Sequence, residues 1–316
     1  MPSTHKPRSG SLQYWPRKRS KKQTPRIRSW PKLDKTLLLG FPVYKVGMTH
    51  AQVKIQNPNS RLKNDLFVIP VTILECPSIK PFSLRFYKKT PYGLKAISEI
   101  VNKSLDKELA RKIKLPKRKL EEKIPESYDD LRIICYTLPK NTGLKKKKPE
   151  IVEIGIGGKV EEKLAYAKSL FEKEIKINDI FGENQMVDIH GVTKGKGFQG
   201  TIKRFGLNLK QHKSEKKKRS TGNLGPVTPG KVLYSVPQAG KMGYHLRTEL
   251  NKQILQIRND PKEILPKEGF HRYGTIRGQY MLIKGSIFGP KKRIVILTHQ
   301  MRKSKSYNYE VKQIKI

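Results

Sequence analysis

Seven histidines (5, 50, 190, 212, 245, 271 and 299) and two cysteines, Cys76 and Cys135, are the residues best suited to metal or nucleophilic chemistry. Their spacing serves neither. There is no HExxH and no pair of histidines at i, i+4, so no helix would present a metal-binding face. The cysteines stand 59 positions apart and no CxxC occurs, which excludes zinc ribbons, iron–sulfur ligation and a disulfide scaffold and fits a reducing compartment. GxSxG and GxxxxGK(S/T) are also missing, and Ser and Asp are too scattered to nominate a triad. No catalytic residue, metal or cofactor is expected.

Gly195-Lys196-Gly197-Phe198-Gln199-Gly200 is a literal GxGxxG after a strand candidate. A dinucleotide site requires a helix N-terminus after those glycines and an acid about twenty residues further on for the ribose. Here Gly206 stops any helix after barely one turn, and positions 219 and 220 are Arg and Ser. Glycines set between lysines suit close approach of backbone N–H groups to phosphates.

The chemistry the chain does advertise is electrostatic. It has 68 Lys and Arg against 26 Asp and Glu, a formal net charge of +42, which calls for a polyanionic partner. From Met1 to Pro31 there are nine basic residues, no acid and five helix-breaking prolines, with Tyr14, Trp15 and Trp30 interleaved. In isolation such a segment reads as a disordered tail. With its partner it reads as an arm whose cations meet phosphates and whose rings stack on bases. Thr193 to Lys231 repeats this character, with eleven basic residues against Glu215 alone, and little capacity to pack on itself. Cations alternating with Gly, Pro, Asn and aromatic residues favour irregular RNA over duplex DNA, and no helix-turn-helix or basic zipper is visible.

The elements that must carry these segments are mostly strands. Leu37 to Met48 is apolar and punctuated by Gly and Pro, which predicts short strands with bends, and Asp65 to Glu75 is a second strand. Between 91 and 176 the pattern changes. Ile97, Ile100, Val101, Leu105, Leu109 and Ile113 predict an amphipathic helix over 93–114, followed by strands at 131–138 and 151–156 and a helix over 160–174. Most of the acidic residues lie here, as suits an inserted α/β subdomain facing solvent. Strands return at 186–192, 280–284 and 293–297. The expected fold class is therefore mainly β with an α/β insertion. Its parts are a basic N-terminal arm (1–36), a β core (37–90 and 177–316) with a basic loop at 193–240, and the insertion at 91–176. No run of eighteen apolar residues exists, so no membrane helix is expected.

Several blocks carry a resemblance. They are His5-Lys6-Pro7-Arg8-Ser9-Gly10, Ile27-Arg28-Ser29-Trp30-Pro31, Tyr44-Lys45-Val46-Gly47-Met48-Thr49-His50, Asp188 through Gly200, Ala239 through Lys252 and Lys284 through Arg293. Together they resemble the third protein of the large ribosomal subunit, the universal family in its archaeal and eukaryotic form. The resemblance implies a six-stranded, translation-factor-like β-barrel interrupted by an α/β insertion. It also implies a non-catalytic role in the cytoplasmic ribosome: binding large-subunit ribosomal RNA, contacting neighbouring ribosomal proteins, supporting early subunit assembly, and bracing RNA near the peptidyl transferase centre where aminoacyl-tRNA enters.

The residues expected on the RNA are His5, Lys6, Arg8, Trp15, Arg17, Lys18, Arg19, Arg26, Arg28 and Trp30 of the arm, with Lys45 of the first core strand. From the loop and its flanks they are Lys194, Lys196, Phe198, Lys203, Arg204, His212, Lys213, Lys216, Lys217, Lys218, Arg219, Asn223, Val227, Lys231, Gln238, Lys241, His245 and Arg247. Val227 stands where the family commonly has a tryptophan, so packing alone is expected of it. The competing readings are an RNA-modifying or nucleotide-dependent enzyme using the glycine block, and an RNA or polyanion binder outside the ribosome, such as a chromatin-type protein.

Overall fold

Aliphatic and β-branched runs separated by turn residues build a mainly β chain. The computed structural model describes residues 10–57, 60, 63, 65–116, 124–264, 266 and 268–315. Their strands are β1 (Gly40–Ile55), β2 (Leu66–Glu75), β3 (Ile79–Thr90), β4 (Gly93–Val101), β5 (Asp130–Thr137), β6 (Ile151–Gly155), β7 (Met186–Val192), β8 (Gly195–Gln199), β9 (Gly240–Gly243), β10 (Leu246–Arg258), β11 (Tyr280–Lys284), β12 (Ile294–His299) and β13 (Tyr309–Lys315). The helices are α1 (Val160–Leu170) and α2 (Thr201–Phe205). The chain divides into two units, an arm–loop unit (Met1–Lys22 with Val192–Leu246) and a body (Gln23–Gly191 with Arg247–Ile316).

In the body, seven strands hydrogen-bond in the order β12-β7-β10-β11-β2-β1-β13, and β1 pairs additionally with β12. The short strands expected over 37–48 are instead the start of one strand of sixteen residues. Gly40 and Pro42 pair in register with β12, and a register shift against β2 between Lys45 and Gly47 marks a bulge that does not end the strand. Phe41, Tyr44, Ile73, Leu74, Tyr280, Leu282 and Ile296 are buried in the core that this sheet lines.

Four strands form a second sheet, β4-β3-β5-β6, against which α1 packs. Its first strand in chain order, β3, falls within the 37–90 segment expected for the β core, yet it pairs with β4 and β5 of this sheet. The amphipathic helix expected over 93–114 is not there. Gly93–Val101 is strand β4, and only Lys107–Arg111 coils, as a 3-10 turn. The cause is local and tertiary together. Pro91-Tyr92 makes a tight turn that Gly93 completes at φ +117°, where an L side chain is strained. The β-branched residues beyond it then pair with β3, and Ile97, counted on the buried stripe of the helix, is exposed. The helix expected over 160–174 is α1, ending at Leu170; Glu161 and Glu162 occupy its first turn, where the helix dipole favours them.

A buried carboxylate ties the loops at the end of β2. Glu75 is fully buried and accepts from the Gly143 N–H (3.1 Å), the Arg277 N–H (2.9 Å) and the Tyr273 hydroxyl. The part of the arm from 23 to 36 belongs to the body. Pro25 and Ile27 are buried while Arg26 and Arg28 are exposed, the alternation of an extended segment lying on a core. Trp30 packs so closely on Gly155 that a Cβ there would lie 2.8 Å from the indole.

Candidate nucleic-acid interface

The arm–loop unit concentrates the charge. It holds nineteen Lys and Arg, seven in its first segment and twelve in its second, and one acid, Glu215. Eighteen of the 42 net charges therefore sit on 77 of 316 residues. Nothing in so small a set of residues can neutralise them.

Arm and loop nevertheless contact each other among the described residues, where little capacity for self-packing was expected. Strands β8 and β9 pair with Gly195 opposite Gly243 and Phe198 opposite Lys241. The chain then turns through α2, which ends at Gly206 in the left-handed conformation (φ +73°) after five residues. The helix is thus as short as the glycine spacing implied, and Arg219 stands where a dinucleotide site needs an acid.

Phe205, at the end of α2, is the centre of the packing, with 5% of its surface exposed. Trp15 stacks on it with centroids 6.2 Å apart, and Tyr234 meets Trp15 edge-on at 5.8 Å. The Arg17 guanidinium lies 4.4 Å from the Phe205 centroid and that of Arg204 lies 5.2 Å away. Gly10 passes the same ring at φ +81°, where a Cβ would sit 2.5 Å from it. Two backbone bridges complete the clamp: Arg17 donates to the Arg204 carbonyl (3.2 Å), and Arg204 donates to that of Gln238 (2.9 Å).

A second junction lies at the end of β9. His245 is buried, and its Nδ1, bonded to the Lys18 carbonyl at 2.7 Å, must carry the hydrogen because a carbonyl only accepts. Ser20 donates its N–H to the Tyr244 carbonyl (2.8 Å), and the Arg19 guanidinium covers the Tyr244 ring at 4.8 Å. His245 also exchanges bonds with Thr193 through its own N–H and carbonyl. These contacts turn Trp15, Arg17, Arg204 and His245 into the framework of the unit.

Other expected residues point outward. Lys194, Lys196, Lys203, His212, Lys213, Lys216, Lys217, Lys218, Arg219, Asn223, Lys231, Gln238 and Lys241 are exposed, and Phe198 exposes 72% of its surface. Val227 is 94% exposed and makes no packing contact among the described residues. His5, Lys6 and Arg8 lie outside the described residues.

Three expected residues of the body stand apart from this set. Lys45 is buried, its ammonium donating to the carbonyls of Ile287 and Gly289 (the latter at 3.3 Å), so its charge is used inside the body. Trp30 is a packing residue, not an open stacking platform. Arg247 is half-buried on β10. Reading residue types along the chain missed Gly10, Phe205, Tyr234 and Tyr244. The aromatic residues among them lie in stretches that also carry Lys or Arg, which is the signal that marks them.

These features define a class: a mainly β protein with a densely cationic appendage that aromatic residues hold in shape. The chain belongs to the ribosomal protein L3 family, whose profile matches residues 1–315. It is 47% identical over 308 residues to the large ribosomal subunit protein uL3 of Methanocaldococcus jannaschii, covering 94% of this chain and 92% of that one. The uL3 proteins of Methanococcus aeolicus (46% over 306 residues, 94% and 92% covered) and Archaeoglobus fulgidus (44% over 312 residues, 96% and 94% covered) are similar to the same extent. The family is structural and not enzymatic.

Proposed function

We propose that the chain is a structural protein of the large ribosomal subunit in the cytoplasm, and that its arm–loop unit is the principal contact with large-subunit ribosomal RNA. The observation that carries this is the unit's nineteen basic residues against one acid, held in a fixed shape by Phe205, Trp15 and His245. A pre-formed cationic surface places many charges on phosphates without the full ordering cost of a tail, and each neutralised phosphate releases counterions. Neighbouring large-subunit proteins are the other partners of this reading. So are a part in early assembly and a place beside the peptidyl transferase centre where aminoacyl-tRNA enters. The strands β1, β2, β11, β10, β7 and β12 are read as a six-stranded barrel, supported by the β12–β1 pairing that joins the ends of that row.

Sedimentation tests the assignment. The native protein should travel with large subunits and leave them only at high salt. Release at low salt, or equal affinity for duplex DNA and large-subunit RNA at matched salt, would favour a general polyanion binder and defeat the proposal. A nucleotide-dependent rise in melting temperature would revive the enzyme reading.

A further inference from the structure

The β3–β4 hairpin of the body ends in Lys88-Lys89-Thr90-Pro91-Tyr92-Gly93-Leu94-Lys95, far in sequence from both basic extensions. Tyr92 is fully exposed, at 102% of its reference surface, on a two-residue turn. The turn is held by the Thr90–Gly93 pair and by a bond from the Thr90 hydroxyl to the Gly93 carbonyl (2.6 Å). Lys88 and Lys95 are directly opposed across the strands, an arrangement of like charges that destabilises a hairpin. Among the described residues neither has an ion pair, and the nearby carboxylates are otherwise engaged. Glu99 is held by Arg85 at 2.9 Å, and Asp129 accepts the Lys89 backbone N–H at 2.6 Å. No acid occurs from Phe86 to Ser98, while the rest of this sheet carries Glu99, Asp130 and Glu153.

We propose that this hairpin tip is a separate RNA-docking site, in which Tyr92 stacks on an unpaired nucleotide of large-subunit ribosomal RNA while Lys88 and Lys95 meet flanking phosphates. A polyanion relieves the opposed lysines, and an exposed ring on a rigid turn is a stacking platform. A protein strand added to the open β4 edge is the less favoured occupant, because lysines on an edge strand act against such pairing. The site rests on the ribosomal RNA reading above, and it makes the inserted sheet a contact with RNA instead of a solvent-facing appendage.

The test uses the full chain and protein-free large-subunit ribosomal RNA, with binding measured across a salt series. Tyr92→Ala should weaken binding about tenfold, within the range for one stacked base, and Tyr92→Phe should restore it. Replacing Lys88 and Lys95 together by Ala should lower the salt slope by about 1.4, at roughly 0.7 per phosphate of unpaired RNA. An unchanged melting temperature would show that each variant is folded. If the native chain prefers large-subunit RNA but all three variants bind as it does with the same slope, the hairpin site is wrong and the broader reading stands. If the native chain shows no such preference, the broader reading itself fails. Loss of a co-purifying ribosomal protein with the RNA slope unchanged would overturn the proposal in favour of strand addition.

Discussion

Phe205→Ala should release the arm from the loop without melting the body. The change deletes a buried ring, its stack with Trp15 at 6.2 Å and guanidinium contacts at 4.4 and 5.2 Å. Burial of a Phe side chain contributes about 1.5–3 kcal/mol, an aromatic pair about 0.5–1.5 kcal/mol, and an exposed cation–π contact about 0.5–1 kcal/mol. These overlap, since the same atoms supply burial and ring contacts, so a loss of about 3 kcal/mol is expected, roughly two decades in the docking equilibrium. Amide exchange reads this directly at Ser20, whose N–H donates to the Tyr244 carbonyl. Its protection should fall about a hundredfold in the variant, and less in Phe205→Leu, which keeps apolar bulk but loses the ring. The amides of β1 and β2 should exchange as before, because they belong to the other unit. If Ser20 stays protected in Phe205→Ala, the aromatic cluster is not what orders the arm.

Three further outcomes follow from particular contacts. Tyr273→Phe removes a hydroxyl donor from buried Glu75 and should cost the body about 1.5–3 kcal/mol, visible as a lower urea midpoint. His190 bridges the Thr298 and Thr248 hydroxyls at 3.1 and 3.0 Å, and burial holds its pKa below 6.5 against a smaller opposing pull from Asp188. Above pH 6.5 folded and unfolded chains are alike in leaving that ring neutral. Below it the unfolded chain takes up a proton that the fold resists, so stability should drop as pH falls, and less steeply in His190→Gln. His299, shifted the same way by burial, leaves a residual slope of the same sign in that variant. Gly243→Ala places a Cβ 2.0 Å from the Lys194 carbonyl at φ +76°, so the end of the β8–β9 ladder should open, with its amide protection lost and the melting of β1 and β2 unchanged.

Much of the body was legible because its strands are dense in β-branched residues. Asp65 to Glu75, 131–138, 151–156, 186–192 and 280–284 all became strands within a residue or two of their expected ends. The failure at 93–114 has a clear origin. Ile97, Ile100 and Val101 fit a helical period by spacing alone, while Pro91 and Gly93 had already set a hairpin turn, and pairing with β3 outweighed the weaker local preference. Residue types show that a side chain is cationic or aromatic, but not what it touches. Lys45 and Trp30 therefore looked like interface residues, but Lys45 is buried and Trp30 is partly buried against the core, while Phe205 looked ordinary and proved to be a centre of packing.

The two units deal with charge in opposite ways, and this explains why one folds on apolar burial while the other needs rings. On the four-stranded sheet, Arg132 is shared between Asp130 and Glu153 at 3.1 Å each, Lys163 reaches Asp130 at 3.1 Å, and Arg85 holds Glu99. Each of these three cations has a carboxylate, so their charges cost the fold little. In the arm–loop unit a single glutamate faces nineteen cations, and mutual repulsion acts against compactness. Apolar side chains could offset that, but the sequence supplies few, and arginine solves the difficulty by stacking. Arg17, Arg19 and Arg204 each lay a guanidinium on an aromatic face, where the positive charge itself is attracted to the ring. Lysine, a more strongly hydrated point charge, does this poorly, and the lysines of the unit are largely exposed. The division of labour follows from chemistry: arginines close to the rings hold the shape, and lysines around them remain for phosphate.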